Sequence, residues 1–276
     1  MINVRTNMAS INALNELNST SRALARSFER ISSGKRISRA ADDAAGLGVA
    51  ENLRAAHQSA AVAARNTNDG MSVIAVAEGA CNEVGNILVR MRELAVQSAS
   101  ETLGVDERAY IQTEYVSLAN EVERIAAVTE FNGQTLTDGT TATIGVQVGI
   151  NNTVNDQIDI TLSDLTAVTL GVDTAAIDMS TAAGASAALT VIDTAITTVS
   201  SYRASYGAVE NRLNSARNNL ETFQQSTVEA EARIRDADFG KETAQLSQNQ
   251  ILQQAGVSVL SQAKNLNSSA TQLLQG

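Results

Sequence analysis

Not one of the 276 residues is proline. An average chain would carry about 5%. Proline removes a helical hydrogen bond and clashes with the preceding turn, so its absence permits helices far longer than globular domains usually hold. Aromatic residues make up 3% of the chain and there is no Trp. Any core must therefore be built from Ala, Leu, Ile and Val, side chains slim enough for helices to lie close together along their length.

The apolar residues fall in the matching pattern. Leu14, Leu17, Ser21, Leu24, Phe28 and Ile31 alternate spacings of three and four, a heptad seam with one polar position. Gly34 ends it. From Asp42-Asp43, residue types that favour helix starts, the chain is helix-compatible to about Ser98. That stretch of roughly 55 residues would reach about 80 Å at 1.5 Å per residue. Gly70, Gly79 and Gly85 weaken it locally, so packing must hold it. A turn around Gly104 leads to a second seam of Ile111, Tyr115, Leu118, Val122 and Ile125, closed by Phe131-Asn132-Gly133. Ile144, Val146 and Val148, then Ile158 and Ile160, alternate with polar or small residues across Asn151-Asn152-Thr153, which predicts a β-hairpin. Residues 166–187 are rich in Thr, Ala and Gly and read as loop or short strand. Helical period returns at Leu189 and runs through Ile192, Ile196, Val199, Tyr206, Val209, Leu213, Leu220 and Phe223 to about Glu231. A last helix from about Glu242 carries Leu252, Val259, Ala263, Leu266, Ala270 and Leu273 on one face.

The layout is nearly palindromic. The fold expected is mainly α: a long antiparallel helical bundle or coiled coil with a small β-hairpin insertion. The two terminal seams, each too narrow to form a core alone, should pair through Leu14, Leu17, Leu24, Phe28 and Ile31 against Leu252, Val259, Ala263, Leu266 and Leu273. Rods with apolar and Ala-rich flanks bury little of their own surface, and stacked copies would bury the rest.

Net charge is -10, but residues 1–40 carry seven basic side chains against Glu16 and Glu29. With Phe28 the only aromatic among them, this basic stretch reads as a solvated or subunit-facing helix surface and not as a nucleic-acid site. There is one Cys, so no intramolecular disulfide forms. The first ten residues hold no apolar signal region, and no run of about 18 apolar residues predicts membrane insertion. By composition alone the chain reads as soluble and cytosolic.

No catalytic, cofactor-binding or metal-binding constellation stands out. His57 is the only His, on a helix, and reads as a surface or interface residue. Cys81 reads as a small buried hydrophobe. Asp42 and Asp43 are neighbours in sequence and suit capping better than a catalytic cleft. Gly46-Leu47-Gly48 lacks the third glycine and preceding strand of a dinucleotide fingerprint.

Several stretches, in order, resemble bacterial flagellin. They are Ile2-Asn3-Val4-Arg5-Thr6-Asn7 with Ala13-Leu14; Ser32-Ser33-Gly34-Lys35-Arg36-Ile37 with Ala40-Ala41-Asp42-Asp43-Ala44-Ala45-Gly46-Leu47; Arg65-Asn66-Thr67-Asn68-Asp69-Gly70; Arg90-Met91-Arg92-Glu93-Leu94-Ala95-Val96-Gln97-Ser98; and Phe131-Asn132-Gly133. Near the end Arg233-Ile234-Arg235-Asp236-Ala237-Asp238-Phe239, Gln250-Ile251-Leu252-Gln253-Gln254-Ala255-Gly256 and Leu273-Leu274-Gln275 complete the set. The resemblance covers roughly 1–140 and 190–276, and departs at Cys81, where relatives carry an aliphatic such as Leu.

The resemblance implies a non-enzymatic subunit of the flagellar filament, without cofactors, that polymerises with itself into an open helical tube used for swimming. It implies an inner layer of residues 1–42 and 240–276, a helical second layer of 43–140 and 188–239, and a hairpin-and-loop insertion at 141–187 with no large outer domain. Its implied partners are the flagellar export apparatus, a flagellin chaperone, and the hook–filament junction and cap proteins. Type III export through an uncleaved N-terminal segment would make it extracellular without a signal peptide, against the compositional reading. The vertebrate Toll-like receptor for flagellin would meet Arg90, Leu94 and Glu114. A hook–filament junction protein and a soluble coiled-coil binding module are the rival readings.

Overall fold

A computed structural model describes the backbone of residues 6–273 and the side chains of residues 6–265. It contains five α-helices, α1 (Met8–Ser33), α2 (Ala44–Ser98), α3 (Val105–Val128), α4 (Ala182–Arg235) and α5 (Phe239–Leu273). Four short strands, β1 (Glu130–Phe131), β2 (Gln134–Thr135), β3 (Thr143–Gln147) and β4 (Gln157–Thr161), lie between α3 and α4. The chain divides into two units, Met1–Ala56 with Gln225–Gly276, and His57–Gln224.

In the first unit, α1 is capped by Asn7, whose Oδ1 accepts the Ser10 amide at 3.0 Å. It ends at Gly34 in the left-handed region, φ 69°, a conformation that favours a residue without Cβ. The following segment pairs with the chain leaving α4. The Arg36 amide donates to the Arg235 carbonyl at 2.6 Å, and the Ala237 amide to the Gly34 carbonyl at 2.9 Å. Asp43 caps α2 by accepting the Gly46 amide at 2.8 Å. Asp42 instead accepts the amides of Ser38 and Arg39 and closes the turn before the helix.

α1 and α5 run antiparallel. Near one end of the pair the Asn7 carboxamide donates to the Ala263 carbonyl at 2.9 Å. Near the other, Arg30 pairs with Glu242 at 3.1 Å.

In the second unit, α2 buries Ala60, Ala63, Thr67, Gly70, Ile74, Ala77, Cys81, Val84, Leu88, Met91, Ala95 and Ser98. The spacing alternates three and four throughout, a heptad stripe far more regular than its apolar content shows. α4 presents a matching stripe of Ala185, Ala188, Ile192, Ala195, Val199, Tyr206, Leu213 and Leu220. Both helices also contain an 18-residue window of mean hydropathy 1.2 (α2) or 1.4 (α4), although neither window is an unbroken apolar run. Parts of both windows are buried in this packing.

β3 pairs antiparallel with β4, Ile144 opposite Ile160 and Val146 opposite Ile158. β1 and β2 close a tighter hairpin on Asn132 (φ 52°) and Gly133 (φ 78°), the two left-handed residues that a two-residue primed turn requires.

The stretch at 166–187 is loop as far as Thr181, but it is not superficial. Leu165, Leu170, Val172, Ile177 and Met179 are buried, and the segment is strapped down by polar groups of the helices. The Tyr115 hydroxyl donates to the Val172 carbonyl at 2.7 Å, Gln112 accepts the Met179 amide at 2.7 Å, and Ser98 donates to the Met179 carbonyl at 2.6 Å. α4 begins at Ala182, before the expected Leu189, because Thr181 caps it through the Gly184 amide at 3.0 Å and Ala-rich sequence is intrinsically helical.

Candidate assembly interface

The seam between α1 and α5 is built from small and polar residues as much as from leucine. On α1 the covered positions are Ala13, Leu17, Thr20, Leu24, Ser27 and Ile31; on α5 they are Glu242, Leu246, Asn249, Gln253, Gly256, Leu260 and Ala263. Both sets keep strict heptad spacing. They share Leu17, Leu24, Ile31 and Ala263 with the seam expected from sequence, and Ser21, also expected there, is half-buried beside them and accepts the Gln253 carboxamide at 3.5 Å. Leu14, Phe28, Leu252 and Val259, expected to pack between the terminal helices, are exposed instead, Phe28 at 52% and Leu252 at 49%. The side chains of Leu266 and Leu273 lie outside the described residues.

The physical reason is backbone distance. Ala13, Thr20 and Ser27 let the helices approach, and a Cβ at Gly256 would already lie 3.4 Å from Leu17 Cδ1. Phe28 in place of Ser27 would force the pair apart. The result is an antiparallel pair with exposed apolar side chains on both helices: Met8, Ile11, Leu14 and Phe28 on α1, Ile251, Leu252, Val257 and Val259 on α5. Large apolar side chains concentrated on one exposed helix pair mark an interaction site.

A second surface lies on the other unit. Arg90 donates from Nε and Nη2 to Glu114 Oε1 at 2.9 and 2.8 Å and from Nη1 to Glu93 at 2.9 Å. These hydrogen bonds, that to Glu93 first and those to Glu114 next, push the guanidinium pKa above its ordinary value. The bridge ties α2 to α3 on an exposed face, as Arg92 ties α2 to α4 through Asp193 at 2.6 Å. Leu94 is not on that face. It is 1% exposed and belongs to the core, because its place in α2 falls beside the buried stripe of Met91 and Ala95. Sequence spacing joined Arg90 to Leu94 correctly as neighbours four apart, but not the direction in which each side chain leaves the helix.

Cys81 is fully buried, and burial pushes its thiol up to about 12. It is a packed hydrophobe beside α4 and not a nucleophile.

Residues 4–142 match the bacterial flagellin N-terminal helical region and residues 189–274 the bacterial flagellin C-terminal helical region. The chain belongs to the bacterial flagellin family. A flagellin of Halalkalibacterium halodurans is 41% identical over 250 residues, covering 91% of each chain. One of Bacillus subtilis is 39% identical over 308 aligned positions, covering 99% of each. The crystal structure of Bacillus cereus flagellin superposes with a TM-score of 0.51 at 32% identity, covering 56% of this chain and 88% of that one. A hook-associated protein structure from Vibrio parahaemolyticus gives a TM-score of 0.59 at 16% identity, covering 71% of this chain and all of that one, which is a likeness of fold alone. This member of the family is a structural subunit of the flagellar filament that polymerises with itself. It is not an enzyme.

Proposed function

We propose that the exposed apolar residues flanking the α1–α5 seam are the contacts through which copies stack into an open helical tube. The observation that carries this reading is the exposure of Leu14, Phe28, Leu252 and Val259 around a seam that buries Thr20, Ser27 and Asn249. A pair that spends its best apolar side chains on solvent is stabilised by a further copy. A repeated head-to-tail contact that does not close yields a filament and not a dimer. In that tube residues 1–42 and 240–276 form the inner layer and residues 43–140 and 188–239 the next, with the 141–187 segment beside them and no large outer domain. Family membership supports export as an extracellular protein through the flagellar type III route, with a chaperone beforehand and the junction and cap proteins as neighbours. Seeded assembly followed by negative-stain microscopy tests the reading. Filaments are expected from the full chain and none after deletion of residues 240–276. A closed dimer alone under seeded conditions overturns it.

The Arg90–Glu114 face supports a second role, as the surface met by the vertebrate Toll-like receptor for flagellin. A half-exposed Arg held rigid by two carboxylates is preorganised for an interface. Leu94, being buried, contributes through the helix it supports. Soluble monomer should activate a receptor reporter, and Arg90→Ala should weaken the signal. A folded but silent wild-type monomer refutes this role, and unchanged signalling by Arg90→Ala removes Arg90 from the site.

A further inference from the structure

A cleft of about 660 Å³ opens among α1, the segment joining α4 to α5, and the first turns of α5. It lies wholly within the unit made by the two chain ends. Asn249 lines it and is 4% exposed. Its Oδ1 accepts the Gln245 carboxamide at 3.3 Å, but its Nδ2 is buried with no acceptor among the described residues. Native structures seldom leave a buried donor in that condition. An acceptor entering from the cleft satisfies it.

The charges around the cleft select the kind of acceptor. Five cationic side chains line it against three carboxylates, on a chain of net charge -10. Two of those carboxylates are already engaged: Glu242 takes Arg30 at 3.1 Å, and Asp238 accepts the Lys241 amide at 3.1 Å. Arg36 spends one N–H on the Ile234 carbonyl at 2.5 Å and keeps the rest. The side chains of Arg26 and Lys241 hold no partner among the described residues. The N-terminus of α5 opens at the same place, where Asp238 already caps it through the Lys241 amide.

We propose that this cleft binds a small tetrahedral oxoanion of the phosphate or sulfate class. Asn249 Nδ2 donates to one oxygen, and Arg26, Arg36 and Lys241 supply the compensating charge. The ion would then cement α1 to α5 at a point where the seam itself is polar.

The test is equilibrium dialysis of assembled full-length filaments against radiolabelled inorganic phosphate at fixed ionic strength in chloride. Saturable uptake of one phosphate per subunit is expected, competed by sulfate and not by added chloride. Lys241→Gln, a change outside the packed seam, and Asn249→Asp, which keeps the shape and replaces the donor by a carboxylate, should each weaken uptake by roughly tenfold or more, the effect of losing a hydrogen bond to a charged group. Arg65→Gln, in the other unit, should leave it unchanged. Wild-type filaments that take up no saturable phosphate overturn the proposal; a neighbouring copy's carboxylate filling the cleft would give that result. Uptake unaltered in both cleft variants also overturns it, because the phosphate then binds elsewhere. Should wild-type filaments fail to form, the assembly reading fails, and the same dialysis on the soluble chain decides this one.

Discussion

Gly70 faces Val146. A Cβ placed on Gly70 would stand 3.0 and 3.2 Å from the two Val146 methyls and 3.5 Å from Leu213 Cδ1. The glycine in the long helix is the seat of the β3–β4 hairpin. Gly79, two and a half turns further on, meets nothing within 4 Å. Gly79→Ala should therefore stabilise the soluble chain by about 1 kcal/mol through helix propensity. Gly70→Ala gains the same propensity but overpacks a β-branched strand residue at a cost of about 1–3 kcal/mol, for a net loss of about 1 kcal/mol. Thermal unfolding by circular dichroism should separate the two by opposite shifts of about 2–4 °C per kcal/mol.

Leu94 and Arg90 should part company when each is truncated. Leu94→Ala empties a fully buried site and should cost about 2–5 kcal/mol. Arg90→Ala removes an exposed bridge and should leave the melting temperature of the monomer nearly unchanged. Any functional loss from Leu94→Ala at a temperature where the variant is partly unfolded is then a stability effect, whereas loss from Arg90→Ala is a surface effect.

Cys81 should resist a thiol reagent at pH 8 while the protein is folded. Its sulfur is inaccessible, and with the thiol pushed up to about 12 the thiolate is scarce at that pH. Labelling should follow the unfolding curve in denaturant. Rapid labelling of folded protein would contradict the burial.

Acid should loosen the turn before α2. The Arg39 and Ser38 amides and the nearby Arg30 hold the Asp42 carboxyl below its ordinary value against the opposing effect of burial. A carboxyl lowered in the folded state contributes stability above its unfolded pKa, about 3.9, and loses it as pH falls through the folded value. Hydrogen exchange across residues 38–42, corrected for its intrinsic pH dependence, should rise below about pH 4. In Asp42→Asn it should already be raised at neutral pH and show no such step.

Phe28→Ser and Leu252→Ser should leave the monomer's thermal unfolding unchanged, since neither side chain is packed in the single chain. Each should raise the critical concentration for seeded assembly. Substituting Leu24, half-buried in the seam, should instead impair the pairing of α1 with α5 itself.

The helices were legible in the sequence because helix formation is local. An absence of proline, heptad spacing and the capping residues Asp43 and Gly34 act within a few residues of themselves, and α1, α2 and α3 begin and end near where those signals stand. The β3–β4 hairpin was legible for the same reason, its alternation being a property of adjacent residues. The burial of the 162–181 segment was not. The segment has no period, and its burial depends on Tyr115, Gln112 and Ser98, side chains distant in sequence that satisfy its backbone.

The sequence by itself determined that the terminal segments are heptad helices, and, through the ordered motifs, which family they serve. It did not determine which of two adjacent heptad frames meets the partner. Leu14 and Phe28 outweigh Ala13 and Ser27 on any hydrophobic count, yet the smaller residues face α5, since side-chain volume sets how near two backbones come. Only the tertiary structure decided that choice, and with it which apolar side chains remain exposed for the next copy.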